Sequence, residues 1–342
     1  MEQKLSKNAS SQWEELFLQK RIDTYWLNYN PHAFLPLDFD TFVKTGGYSK
    51  LHMSLSQQPS ELKTVFIVGC GRSGSSLLGK LLSAHPKILF LNEPREVWMQ
   101  AFPEFDVWSV KAKDRGGKLK LSESHACTYK TSQLTSILKT IASKVGKSVL
   151  LEKTPENAFR LEWLYQMFPN SKFIYFKRDA LSTARSISRF QPSLWYGFKD
   201  EYKWKQIASL IPEFQNQVSF SEEFVDLANR SEEYLAKGLV EWGLSLLSAR
   251  RFAEKLTREE RKKHYMEVSY EDLLLEPKQV LGLLLKFLEL ESEEEVMQLA
   301  EDLIQPYQSP ASPLRRSCSL RDLSEEDLLS MAGDEFMRLI CS

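Results

Sequence analysis

The stretch from Thr64 to Leu78, TVFIVGCGRSGSSLL, limits the folds open to this chain more than any other part of it. Thr64-Val65-Phe66-Ile67-Val68 is a β-branched and aromatic run of the kind that forms a strand buried on both faces. Gly69, Gly71 and Gly74 make a turn, Ser75-Ser76 follow, and Leu77, Leu78, Leu81 and Leu82 continue with helical spacing. Strand, glycine-rich turn and helix together aim backbone N–H groups and the positive end of a helix at one anion. The interval from Gly69 to Gly74 matches the first half of the phosphate-loop pattern G-x-x-x-x-G-K-[ST]. The second half differs, with Ser75 in the lysine position and Arg72 inside the loop. The plainer reading of these residues is a tight turn; the fuller one is a cradle for a phosphate-type anion, without the marks of an ordinary ATP or GTP hydrolase.

The rest of the chain repeats the opening alternation. Lys87–Leu91, Ser148–Leu151, Lys172–Phe176 and His264–Val268 read as further strands, separated by segments of helical periodicity. Among these are the amphipathic run Thr131–Val145, Glu156–Met167, a helix ending at Arg189 and a long helix over Ser231–Leu256. This is the pattern of an α/β protein with a parallel sheet, in which ligands sit beyond the C-terminal strand ends. Three polar clusters fall at such ends: Asn92–Arg95, Glu152–Pro155 and Lys177–Asp179. Their shared placement predicts a shared site. Pro103–Tyr129 is polar and turn-rich and reads as a long surface loop or lid. Gln191–Phe220 is aromatic and irregular. Helices over Lys278–Leu290, Glu293–Ile304 and Glu325–Ile340 close the chain.

Bulk properties narrow the partners. The formal net charge of −1 across 342 residues supplies no basic field for nucleic acid or an anionic membrane surface, so a positive site must be a local one. Cys70, Cys127, Cys318 and Cys341 lack metal-ligand or disulfide-framework spacing. With no run of signal-peptide or membrane-spanning character, the expectation is a cytoplasmic, soluble protein without a membrane partner. Residues 1–60 form an aromatic-rich helical extension, expected to pack on a main domain spanning 61–342.

Arg178 begins a strand-to-helix turn, and Ser186 lies on the helix that follows. A guanidinium fork with a hydroxyl beyond it suits a second phosphate, away from the first cradle. VFIVGCGRSGSSLL, LEKTPEN and FIYFKRDALSTARSISR, in that order and spacing, resemble the sulfotransferases that use 3′-phosphoadenosine-5′-phosphosulfate (PAPS). The likeness is nearest to the tyrosylprotein-sulfotransferase branch and its bacterial relatives. It covers Thr64–Arg189, with a looser match in HYMEVSYEDLLLEP.

The resemblance implies a P-loop-type α/β sulfotransferase domain and a role for each motif. Gly71, Arg72, Ser73, Gly74, Ser75 and Ser76 would hold the 5′-phosphosulfate, and Arg178 and Ser186 the 3′-phosphate. Glu93 would be the catalytic base, and Lys153 and Arg72 would stabilise charge on the leaving phosphate. Glu93 as a helix first-turn carboxylate and Lys153 as a solvated lysine are the bland alternatives. Arg95 would touch the acceptor or pair with a carboxylate, and His125 is the alternative base used in other branches. Trp195 and Tyr196 would line an acceptor pocket or belong to the core. The less charged sulfuryl group makes no metal obligatory. Arg315-Arg316 would close over PAPS in place of the relatives' glycine- and arginine-containing loop. The expected acceptor is a small molecule bearing a hydroxyl or amine, with carbohydrate or peptide tyrosine as alternatives and a homodimer left open. A P-loop kinase of small molecules and a nucleotide-binding protein without turnover are the competing functions.

Overall fold

The structure is a computed structural model that describes residues 62–308, apart from 110, 145, 190–194, 197–200, 219 and 231–232, together with 329 and 331–340. The N-terminal extension and Arg315-Arg316 lie outside the described residues. Five strands form one all-parallel sheet in the order β2-β3-β1-β4-β5. They are β1 (Lys63–Val68), β2 (Ile88–Asn92), β3 (Val149–Lys153), β4 (Lys172–Lys177) and β5 (Tyr265–Ser269). Every expected strand is present. The second, third and fourth run one or two residues further than their apolar cores, so Asn92, Glu152, Lys153 and Lys177 are strand residues.

Alternation along the strands builds two cores. Val65 and Ile67 of β1 face one layer with Ile88, Phe90, Val149 and Leu151, while Phe66 and Val68 face the other with Leu89, Leu91 and Leu150. The first layer is covered by α1 (Ser75–Ser83) and by helices from the end of the chain. The second is covered by α2 (Arg95–Ala101), α3 (Thr128–Lys144), α4 (Leu161–Met167), α5 (Ala180–Arg189), α6 (Tyr202–Ala208), α7 (Glu222–Asn229) and the central α8 (Tyr234–Lys255). Beyond α9 (Arg258–His264) and β5 come α10 (Tyr270–Leu275), α11 (Pro277–Phe287) and α12 (Glu294–Gln308), and finally α13 (Asp334–Ile340).

The connections put the site between β1 and β3. From β1 the chain passes through α1 on one face; from β3 it passes through α4 on the other, crossing β1 to reach β4. Adjacent strands whose following segments diverge leave a crevice at their C-terminal ends, where ligands of open α/β sheets bind.

The 103–129 segment, expected as a long surface loop or lid, is tied to the domain by buried contacts. Arg160, fully buried, donates from Nε to the Leu119 carbonyl at 2.9 Å and from Nη2 to the carbonyls of Phe105 and Lys118 at 3.0 and 2.8 Å. Its guanidinium also lies 4.0 Å over the Phe105 ring. Asp106 adds an ion pair with Arg115 at 2.6 Å. A long loop that turns its carbonyls inward needs a buried donor, and Arg160 satisfies three of them. Among the described residues no helix is long and apolar enough to cross a membrane.

Candidate active site

The loop after β1 is tightly built. Arg72 is left-handed at φ 69°, unusual for a residue with a side chain, and Gly74 caps α1 in the same region at φ 89°. An added Cβ at Gly74 would lie 2.5 Å from the Tyr270 ring, and one at Gly71 would lie 2.1 Å from the Trp195 ring. Neither position has room for a side chain. The first turn of α1 carries no acidic residue, so nothing there offsets its positive end. Ser73 and Ser75 are buried, and Ser73 Oγ has no hydrogen-bond partner among the described residues. Ser76, exposed, donates from Oγ to Asn92 Oδ1 at 3.3 Å, joining α1 to the end of β2. The glycines admit the Trp195 and Tyr270 rings against the loop, and the orphaned buried Ser73 hydroxyl fits an anion seated in it.

Arg178 and Ser186 are closer to that loop than their separation in sequence suggests. Arg72 Nε donates to Ser186 Oγ at 3.1 Å, and Arg178 Nη1 donates to the Arg72 carbonyl at 3.2 Å. The Arg178 guanidinium also lies 4.6 Å over Tyr270, and its backbone carbonyl accepts from Trp242 Nε1 at 2.8 Å. The two expected anion stations therefore adjoin, with Arg72 spanning them. Partial desolvation in the crevice lowers the Arg72 pKa although the residue is exposed; Glu93 opposes that shift and Arg178 adds to it.

Across the crevice stands a carboxylate held by two cations. Glu93 takes a left-handed φ of 53°, and its backbone N–H donates to the Lys153 carbonyl at 2.6 Å. Its side chain accepts from Lys153 Nζ at 2.6 Å on Oε1 and from Arg95 Nη2 at 2.7 Å on Oε2. Burial pushes the Glu93 carboxyl up, but Lys153 and Arg95 outweigh it and hold the group below its ordinary value. Four cationic side chains, Arg72, Lys153, Arg95 and Arg178, thus border the crevice with the Glu93 carboxylate.

The other expected residues divide, His125 and Tyr196 lying away from the crevice and Trp195 and Arg95 bordering it. His125 is held within its own loop, Nδ1 to Ser122 Oγ at 2.9 Å and Nε2 to Lys118 Nζ at 3.0 Å, and the structure does not bring it to Glu93. Tyr196 is fully buried, stacked on Tyr234 and edge-on to Trp204, so it offers no surface to an acceptor and belongs to the core. Trp195, half-buried, packs on Gly71 and donates from Nε1 to Glu241 Oε2 at 2.8 Å. Arg95 pairs with Glu93 and lies 4.0 Å over the Trp108 ring.

Beneath the crevice lies a chain of ions that the sequence reading missed. Lys203 Nζ sits 2.7 Å from Glu156 Oε1 and 3.0 Å from Glu241 Oε1, all three residues buried. Trp108 Nε1 also donates to Glu156 Oε1, at 2.7 Å. Glu241, a single charge in the apolar run Leu239-Val240-Glu241-Trp242, was the one available signal.

An α/β sheet with a glycine-rich loop at its switch point, and a cation-held carboxylate facing that loop, is an arrangement of the P-loop type. Residues 64–224 match the model of the sulfotransferase family. Human protein-tyrosine sulfotransferase 1 is 29% identical over 150 residues, 43% of this chain and 39% of that protein. A putative protein-tyrosine sulfotransferase of Caenorhabditis briggsae is 28% identical over 151 residues, 42% of this chain and 50% of that protein. The chain thus spans at most half the length of these curated relatives. Among solved structures, the sulfotransferase domain from the curacin biosynthetic pathway aligns with a TM-score of 0.41 at 19% identity, over 70% of this chain and 78% of that one. The sulfotransferase domain from the Synechococcus PCC 7002 olefin synthase gives 0.41 at 18% identity, over 81% and 96%.

Proposed function

We propose that this protein transfers the sulfuryl group of PAPS to a hydroxyl acceptor, with Glu93 as the base. The observation that carries the reading is the 2.6 Å contact between Glu93 and Lys153 at neighbouring strand ends, opposite the Gly71–Ser76 loop. The loop N–H groups, Ser73 and Arg72 would receive the phosphosulfate, and Arg178 and Ser186 the 3′-phosphate. The acceptor O–H gives its proton to the Glu93 carboxylate as its oxygen bonds to sulfur. The bond from sulfur to the 5′-phosphate oxygen breaks, and Lys153 and Arg72 hold the charge left on adenosine 3′,5′-bisphosphate (PAP).

A phenol is the acceptor class that this site favours. A carboxylate held below its ordinary value is a weak base, matched to a phenolic O–H rather than to the far less acidic alcohol of a sugar. The names of the curated relatives, which are protein-tyrosine sulfotransferases, support the same class. Whether the phenol is free or part of a peptide is decided by a panel of small phenols, tyrosine peptides, sugars and amines assayed with labelled PAPS. Glu93→Gln is expected to cost about 10²- to 10⁴-fold in turnover, and Lys153→Ala to abolish it. Near-full activity in both variants refutes the assignment.

A further inference from the structure

We propose that Lys203 is a positioning residue that holds the anion loop and the Glu93 side chain in one fixed arrangement, through the buried ions Glu156 and Glu241. The inference rests on the functional reading above and concerns residues that touch neither donor nor acceptor.

The contacts form an unbroken path from one half of the site to the other. Lys203 is paired to Glu241 at 3.0 Å, Glu241 accepts from the Trp195 indole at 2.8 Å, and the Trp195 ring fills the space where Gly71 would carry a Cβ. In the other direction Lys203 is paired to Glu156 at 2.7 Å, and Glu156 accepts from Trp108 Nε1 at 2.7 Å. Trp108 lies under Arg95 at 4.0 Å, and Arg95 donates to Glu93 at 2.7 Å. The Lys203 ammonium is also 4.1 Å over the Trp195 ring itself. Three separate parts of the chain supply the ions: the turn after β3, the start of α6 and the middle of α8.

Stability alone does not account for these charges. Replacing a buried ion cluster by apolar residues of similar volume is often neutral or stabilising, whereas removing one partner strands the rest. What the ions add is directionality, since each fixes the heading of an aromatic ring that abuts the site. The titration behaviour agrees: burial drives the Glu156 carboxyl up, but Lys203 and Arg95 overcome it and bring the group down to about 2. Lys203 is raised in turn, its two carboxylates outweighing burial. Glu156 and Lys203 are therefore both charged throughout the neutral range. Cys70, the loop residue beside it, is kept as a thiol by burial and by Glu241.

The test uses the full chain and PAP as probe, with affinity read by calorimetry and turnover read at saturating PAPS. Lys203→Met is expected to weaken PAP by about tenfold or more and to lower kcat by a similar factor, since sub-ångström misplacement of reacting groups is costly. The triple variant Glu156→Gln/Lys203→Met/Glu241→Gln is expected to recover the melting temperature but not PAP affinity. Trp195→Phe, which loses both the indole N–H and the reach to Gly71, is expected to weaken PAP alike and covers the case in which Lys203→Met does not fold. Wild-type PAP affinity in any folded member of this set overturns the proposal. Weakened PAP binding with unchanged kcat overturns the link to Glu93. Failure of the wild-type protein to bind PAP refutes the functional reading instead.

Discussion

Replacing Glu152 by glutamine should stabilise this protein, and by more as the pH rises. Glu152 is buried at the end of β3, its carboxylate accepting from Trp98 Nε1 at 3.1 Å, Thr154 Oγ1 at 2.5 Å and Asn157 Nδ2 at 3.0 Å. Burial outweighs these donors and raises its pKa from 4.5 to about 7. Below pH 4.5 the carboxyl is protonated both folded and unfolded, and its contribution to stability is fully present. Between 4.5 and about 7 the unfolded chain releases a proton that the folded one keeps, so stability is lost as pH rises through that window. At ~1.4 kcal/mol per pH unit the loss reaches about 3 kcal/mol above neutrality. Glutamine carries no charge and escapes it. The new amide also has a partner at hand: Asn157 Oδ1 is buried without one, and a flip of the Asn157 amide turns that oxygen toward the NH₂ of the introduced glutamine. Urea unfolding of both proteins from about pH 4 to about pH 8 measures the difference directly. The gap between Glu152→Gln and wild type should widen by about 3 kcal/mol across that range. A gap that does not change with pH refutes the reasoning, because no other titrating group differs between the two.

Further expectations follow from the loop and its surroundings. Gly71→Ala drives a Cβ into the Trp195 ring, so PAP affinity in calorimetry should fall by about tenfold or more. Gly282→Ala, in the middle of α11 with nothing within 4 Å of the new methyl, should leave binding intact and add about 0.5–1 kcal/mol of stability in the same unfolding assay. Arg160→Met deprives three inward-facing carbonyls of their donor, at a cost of about 2–4 kcal/mol. Hydrogen exchange should then quicken across residues 105–119 while the β1 amides stay protected.

The sheet was legible because its strands are buried on both faces. KILFL, VLL and KFIYF announce themselves by apolar runs bounded by polar or glycine residues. Their ends were less clear, since ladder pairing continues through Glu152 and Lys153 regardless of side-chain charge. Short helices were lost among polar residues, although α9 carries a readable start: Thr257 and Glu260 form a reciprocal capping box. The anion loop, Arg178 and Ser186 could be found from local spacing, but their contact through Arg72 is tertiary. Lys203 was hidden for the same reason. Within YKWKQ it looks like a solvated lysine, and only the packing of α6 against α8 and the turn after β3 buries it. Tyr196 shows the converse: its sequence context left acceptor pocket and core both open, and packing puts it in the core.

The register of β2 against β3 has a consequence for how such a protein changes its habits. Asn92 lies opposite Lys153, and Glu93 extends the pairing by one more backbone hydrogen bond to the Lys153 carbonyl. The gap between the Glu93 carboxylate and the Lys153 ammonium is therefore tied to interstrand spacing. On the proposed reading, the reacting geometry goes with the sheet, and choice among acceptors goes with the segments that border the crevice.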